Sequence, residues 1–598
     1  MHFLDELPRH VFFTGKGGVG KTSIACATAV RLARAGRRVL LVSTDPASNI
    51  AQALGTTIGA DITPVADVPG LSALEIDPDA AAAAYRESIL APVRPLLPER
   101  ELATITEQLS GSCTTEIASF NEFTGLLADP ARTEGFDHVL FDTAPTGHTI
   151  RLLQLPGSWT SFLDEGKGDA SCLGPMSGLE RHRSTYRTAV EALTDPGTTR
   201  LVLVARAQTS TLREVARTAG ELAELGIRAH HLVVNAVLPA PTDADSADPL
   251  HAAVHARERA ALEALPAELR GLDVDLLPLR PDNMVGLDAL EELLAADAPA
   301  HPVTGAQAWR DADAAPPSNE TLLALVDQLE SRGRGLVMTV GKGGVGKTTV
   351  AAAIALALAR RGHDVHLTTT DPAAHLDTTV AGEVEHLTVD AIDPERATQE
   401  YRDKVMATKG ASLDDAGRAA LREDLLSPCT EEVAVFQQFS RAVGLARSRF
   451  VVMDTAPTGH TLLLMDATGS YHREMVRHLD ERQRARATTP LMRLQDPDHT
   501  SIIVVTLPET TPVAEAEALV EDLARADMRP WAWVVNNSLL AARPSSPLLA
   551  RRAAQEREQV DHVRELAPRM ALVATRSHEP VGVDALERLL ALTDAPAG

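Results

Sequence analysis

Gly15-Lys16-Gly17-Gly18-Val19-Gly20-Lys21-Thr22 returns letter for letter as Gly341-Lys342-Gly343-Gly344-Val345-Gly346-Lys347-Thr348. Each octapeptide follows a short apolar run, Val11-Phe12-Phe13-Thr14 or Leu336-Val337-Met338-Thr339-Val340, and opens an Ala-rich segment of helical composition. Strand, glycine-rich loop and helix in that order make a phosphate loop. The glycines let successive backbone N–H groups converge on phosphate oxygens, and the helix N-terminus adds positive potential. Lys21 and Lys347 then reach the β- and γ-phosphates of ATP, while Thr22 and Thr348 offer hydroxyls to Mg2+. Ser23 and Thr349, next in line, complete each nucleotide-binding stretch. An identical octapeptide used twice is not chance, so the chain binds nucleoside triphosphate at two places.

The repetition extends well beyond the loops. Arg38-Val39-Leu40-Leu41-Val42-Ser43-Thr44 reads as a buried strand ending at Asp45-Pro46-Ala47, and Asp364-Val365-His366-Leu367-Thr368-Thr369-Thr370 as its copy ending at Asp371-Pro372-Ala373. Lys347 follows Lys21 by 326 positions, and Asp371 follows Asp45 by the same 326 (347 − 21 and 371 − 45). Equal offsets across a strand–helix–strand unit mean duplication. Asp142-Thr143-Ala144-Pro145-Thr146-Gly147-His148-Thr149 recurs as Asp454-Thr455-Ala456-Pro457-Thr458-Gly459-His460-Thr461, each after an apolar run. Two more strands close each half, Leu201–Val204 with Leu232–Asn235 and Ile502–Val505 with Trp533–Asn536. Strands alternating with helical segments predict an α/β fold: two tandem P-loop domains, each a mostly parallel sheet flanked by helices, related by a pseudo-twofold axis. The expected boundaries are 1–297 for the first half, 298–320 for a Pro/Ala/Asp-rich linker and 321–598 for the second half. Pro239–Ser246 reads as a surface loop.

Composition narrows the function. The chain has 598 residues, 44% hydrophobic and 23% charged, and only 3% aromatic, so its cores rest on Leu, Val, Ile and Ala. A formal charge of −25 argues against nucleic acid or anionic lipid as a general partner. No run of 18 apolar residues is available to span a membrane, and the N-terminus lacks the order of a secretory signal. Cys26, Cys113, Cys172 and Cys429 are too few and too scattered for a disulfide framework. The expected state is reduced thiols in the cytoplasm.

Several positions carry chemistry. Lys16 and Lys342, each directly after the first glycine of its loop, are expected to face a partner half and neutralise charge on a shared nucleotide, as an arginine finger does. Asp45 and Asp371, at strand ends beside the phosphate site, are assigned to the attacking water. Asp142 and Asp454 suit contact with Mg2+ through its bound water, outside its direct ligands, and sensing of the γ-phosphate. Asn235 and Asn536 are candidates for hydrogen bonds to adenine. Cys113 and Cys429 occupy equivalent places in the repeat, whereas Cys172 has no counterpart. Three thiolates from separate segments suit a soft, thiophilic ion, but three buried apolar cysteines fit the residues equally well, and for Cys26, inside the helix after the loop, that plain reading prevails.

With the doubled phosphate loop, the doubled Asp-Thr-Ala-Pro-Thr-Gly-His-Thr and the Cys113-Thr114-Thr115-Glu116 and Cys429-Thr430-Glu431-Glu432 segments in view, the chain resembles the arsenical pump-driving ATPases, which belong to the deviant Walker A superfamily. The resemblance covers nearly the whole sequence. It implies a cytoplasmic ATP hydrolase, peripheral at the inner membrane when bound to an efflux-pump subunit, that drives arsenite or antimonite export. It implies further that trivalent arsenic or antimony is an allosteric ligand held by Cys113, Cys172 and Cys429, with His148, Ser427 and His460 as auxiliary ligands. An arsenic metallochaperone is a further implied partner. The rival on the same scaffold is an ATP-driven targeting chaperone for tail-anchored membrane proteins. Such proteins resemble homodimers of one half, often with a Cys-x-x-Cys zinc clasp and a Met-rich groove. This chain fuses two halves, lacks Cys-x-x-Cys and has 11 Met in all.

Overall fold

A computed structural model describes residues 1–45, 49–95, 98, 102, 105–106, 109, 112–143, 177–243, 245, 248–295, 320–371, 376–425, 428–455 and 489–591. They form two compact units, each built on one sheet.

In unit 1 the strands are β1 (His10–Thr14), β2 (Val39–Ser43), β3 (Thr63–Pro64), β4 (Leu71–Glu75), β5 (His138–Asp142), β6 (Thr199–Arg206), β7 (Ala229–Val237) and β8 (Asp273–Pro278). Their order across the sheet is β3-β4-β2-β5-β1-β6-β7-β8, parallel except for the short β3–β4 pair at one edge. In unit 2 the strands are β9 (Gly335–Val340), β10 (Val365–Thr369), β11 (Leu387–Val389), β12 (Phe450–Asp454), β13 (Thr500–Thr506), β14 (Pro530–Ser538) and β15 (Met570–Ala574), ordered β11-β10-β12-β9-β13-β14-β15.

Both sheets extend beyond the five strands expected for each half. The additional strands are β3, β4 and β8 in the first, β11 and β15 in the second. Most are short or mixed in polarity. Asp273-Val274-Asp275-Leu276-Leu277-Pro278, for example, exposes every second residue or nearly so, as an edge strand does. The central strands have no such ambiguity. β1, β2, β9 and β12 are buried at every position, because helices cover both faces of a parallel sheet and the sequence must be apolar throughout.

The two-residue period of the strands divides the cores. Phe12, Leu40, Val42, Phe141 and Leu203 pack on one face of the first sheet, with Phe12 and Phe141 stacked at 4.4 Å between ring centres. Val11, Phe13, Leu41, Leu140 and Val204 pack on the other, against the helix Lys21–Arg34. The second sheet repeats the plan with Val337, Leu367, Val452 and Ile503 opposite Leu336, Met338, Met453 and Val504.

The units do not follow the halves of the sequence throughout. Unit 1 is Met1–Pro239 with Glu258–His301, and unit 2 is Ala240–Arg257 with Pro302–Gly598. From Ala240 onward the stretch expected as a surface loop therefore belongs to the second unit, and Asp245 within it is buried. The Ser546 hydroxyl donates to Asp245 Oδ1 at 2.7 Å and lies 2.8 Å from His251 Nδ1, while the backbone N–H groups of Ser545 and Ser546 both donate to Asp248 Oδ2 at 2.7 Å. The same Asp248 caps its own helix, Pro249–Glu263, by accepting from Leu250 N and His251 N. The proposed linker, 298–320, lies outside the described residues except for Glu320.

Candidate nucleotide site

β1 runs between β5 and β6, so the loop leaving its carboxyl end emerges at the centre of the sheet, where open α/β folds collect ligands. Two glycines have no substitute there. Gly15 passes so close to β6 that a Cβ would sit 2.1 Å from the Val204 carbonyl oxygen, and Gly20 enters the helix Lys21–Arg34 at φ +92°, with Asn235 Nδ2 2.2 Å from where its Cβ would be. Gly341 and Gly346 meet Val505 and Asn536 in the same manner. Asn235, a candidate for adenine, donates from Nδ2 to the Val19 carbonyl at 2.9 Å, and Asn536 donates to that of Val345 at 2.8 Å. Each amide thus props its own loop. Lys21 and Lys347 are buried and fold back over the loop, their ammonium groups donating to the carbonyls of Lys16 and Lys342 at 3.1 and 3.0 Å. Gly17, Gly18 and Val19, like Gly343, Gly344 and Val345, form the cradle between them, and Ser23 and Thr349 lie in the first helical turn.

Asp142 and Asp454, the last residues of β5 and β12, are fully buried, and accept from the Thr22 and Thr348 hydroxyls at 2.7 and 2.6 Å. The residues that follow them, Thr143 and Thr455, are held by their hydroxyls donating to the Phe13 and Thr339 carbonyls, both at 2.8 Å. Asp45 and Asp371 stand two residues past β2 and β10, where their backbone N–H groups bond Ser43 Oγ and Thr369 Oγ1. Burial raises the Asp454 carboxyl to about 6; nearby Lys347 and the Thr348 hydroxyl oppose that shift, and Asp371 adds to it by repulsion. Asp454 Oδ1 is buried with no hydrogen-bond partner among the described residues. A hydroxyl with buried carboxylate oxygens at the edge of a phosphate cradle is a donor set that suits Mg2+.

Lys16 and Lys342 bond within their own units. Lys16 Nζ lies 2.6 Å from Glu214 Oε2, and Lys342 pairs with Glu515 in the same way. The two glutamates stand on the helices Thr209–Glu224 and Thr510–Arg525 that follow β6 and β13. Motif reading missed both. Glu515 follows Glu214 by 301 positions, as Asn536 follows Asn235 (515 − 214 and 536 − 235), and that match was the available signal.

The family model described as anion-transporting ATPase matches residues 8–296, 334–493 and 464–593. The chain belongs to the anion-transporting ATPase family. It is 57% identical over 590 residues to the arsenical pump-driving ATPase of Escherichia coli, a match covering 98% of this chain and 100% of that one. It is 56% identical over 591 residues to the arsenical pump-driving ATPase of Acidiphilium multivorum, covering 99% and 100%. ATPase GET3 of Eremothecium gossypii is 34% identical over 256 residues, 39% of this chain and 73% of that protein. This partial match does not favour the targeting-chaperone alternative.

The chain is an ATP-hydrolysing enzyme. Of its cysteines, Cys26 is wholly buried beside the helix core, where burial pushes its thiol well above the usual range, as expected of a small apolar residue. Cys113 and Cys429 lie at the starts of the helices Ser112–Ala128 and Pro428–Leu445. Their thiols lie outside the described residues, as do Cys172, His148, Ser427 and His460. Among the described residues no helix is long and apolar enough to cross a membrane.

Proposed function

We propose that the chain is a metalloid-stimulated ATPase that energises efflux of arsenite and antimonite through a membrane subunit. The observation that carries this reading is likeness from end to end, 57% identity over 98% of the chain, to an arsenical pump-driving ATPase. Two equally furnished phosphate loops support turnover in both units rather than a single working site. Thr22 and Thr348 would hold Mg2+, with Asp142 and Asp454 orienting those hydroxyls, and the bound ion would withdraw charge from the phosphoryl oxygens. Asp45 and Asp371 orient water toward the γ-phosphorus; its oxygen bonds phosphorus as the bond to the bridging oxygen breaks, and its proton is left on the released phosphate, giving ADP and phosphate. Lys21 and Lys347, with Lys16 and Lys342, neutralise charge on the phosphates, and Asn235 and Asn536 combine support of the loop with contact to adenine.

In the same proposal Cys113, Cys172 and Cys429 bind trivalent arsenic or antimony as allosteric ligand, assisted by His148, Ser427 and His460. The metalloid arrives from an arsenic metallochaperone, and the ATPase acts in the cytoplasm, docked on its pump at the inner membrane. Because each aspartate and its histidine lie on one short segment, Asp142 to His148 and Asp454 to His460, nucleotide state and metalloid binding are coupled, and the coupling is reciprocal. The test is equilibrium antimonite binding to the full chain. One high-affinity metalloid per chain, lost in Cys113→Ser, Cys172→Ser and Cys429→Ser alike, is expected. Retention of that affinity in all three variants overturns the site.

A further inference from the structure

The pairing of Lys16 with Glu214 is repeated by Lys342 with Glu515, on equivalent helices of two units that otherwise differ at many positions. A contact kept in both copies is part of the working plan of the unit. The side chains of Lys16 and Glu214 are 31% and 11% exposed, and those of Lys342 and Glu515 are 14% and 8% exposed, so the carboxylates are mostly withdrawn from water. The location has a reason. β6 and β13 run beside β1 and β9, and Gly15 and Gly341 back directly onto their carbonyls, so the helix that follows each strand flanks the phosphate cradle. A glutamate there opposes an incoming polyphosphate unless its charge is matched, and Lys16 or Lys342 matches it.

We propose that Glu214 and Glu515 are holding residues that keep Lys16 and Lys342 off the nucleotide until the ATPase is engaged, an inference that rests on the reading that these lysines serve the phosphates. While the lysine is held, Lys21 or Lys347 is the ammonium closed over the loop. When the lysine leaves, a nearly buried carboxylate gives up a close ion pair, which is costly, so the held state dominates until phosphate and metalloid offset that loss. Glutamine keeps the shape and the acceptor oxygen but removes the charge, and so releases the lysine without that penalty. The two glutamates act through the lysines and are positioning residues.

The experiment compares full-length wild type with Glu214→Gln, Glu515→Gln and the double variant. ATP hydrolysis is measured with and without antimonite, and amine acylation of Lys16 and Lys342 is read by mass spectrometry without nucleotide. The expected result is a several-fold rise in basal turnover in the double variant, a stimulated rate within twofold of wild type, and faster acylation of the released lysines. Basal turnover at or below the wild-type value, with unchanged acylation, overturns the proposal. The underlying reading fails separately: Lys16→Ala and Lys342→Ala would then turn over like wild type. Acylation does not depend on turnover, so it decides the holding role even for a variant with weak activity.

Discussion

His10 is buried at the start of β1, edge-on to Phe141, and neither ring nitrogen has a hydrogen-bond partner among the described residues. Burial, helped by Arg9, lowers its pKa to about 4. As pH falls from about 6.5 the unfolded chain takes up a proton that the folded one refuses, so this residue's contribution to stability is lost between pH 6.5 and 4. The equivalent residue in the second unit is Leu336, fully buried with nothing to satisfy. His10→Leu is therefore expected to stabilise unit 1 by about 1 kcal/mol at pH 7 and to flatten its acid dependence. Thermal unfolding at pH 4.5, 5.5 and 7 checks this; a variant that melts lower at every pH contradicts it. Asn235 supports the opposite kind of prediction. Its amide props the Val19 carbonyl, and Asn235→Ala is expected to weaken ATP binding about tenfold, the order of one hydrogen bond, with little change in melting temperature. Unaltered affinity in nucleotide titrations would assign the amide no part in shaping the loop.

At the scale of elements, the segment Ala240–Arg257 shows what the sequence does not disclose. The phosphate loops, the central strands and the strand-end Asp142 and Asp454 are legible because each places an apolar run against glycines or a strand-end carboxylate, and the second copy repeats the first. Asp245 and Asp248 carry no such pattern. Asp245 lies in a Pro-, Ala- and Asp-rich stretch that composition assigns to the surface and Asp248 just after it, and only the meeting with Ser545 and Ser546, some 300 residues away, buries them. Glu214 and Glu515 were hidden for a related reason: each sits inside an ordinary amphipathic helix, and its partner is distant in sequence. Asp248 satisfies the first N–H groups of its own helix and also Ser545 and Ser546. Asp248→Ala removes both services at once and is expected to cost unit 2 about 3 kcal/mol, the sum of a lost cap and buried N–H groups left unpaired. Denaturant unfolding measures it; a loss below about 0.5 kcal/mol, within the range of an ordinary surface change, would mean that the segment is not held by this carboxylate.

For the whole molecule, duplication is the organising fact. Each unit builds its loop, its buried strand-end aspartate, its propping asparagine and its lysine–glutamate pair from residues at matching positions, and the bond lengths that are shared agree closely between the units. The cysteines break the symmetry, since Cys172 has no copy, and it is this asymmetry that makes one metalloid per two nucleotide sites the expected stoichiometry. The most direct measurement is Mg2+-dependent ATP hydrolysis by the full chain with and without antimonite, in buffer free of competing thiols. A several-fold rise that disappears in Cys113→Ser is the predicted result; an unchanged rate with intact basal turnover would contradict the proposal that metalloid binding drives this ATPase.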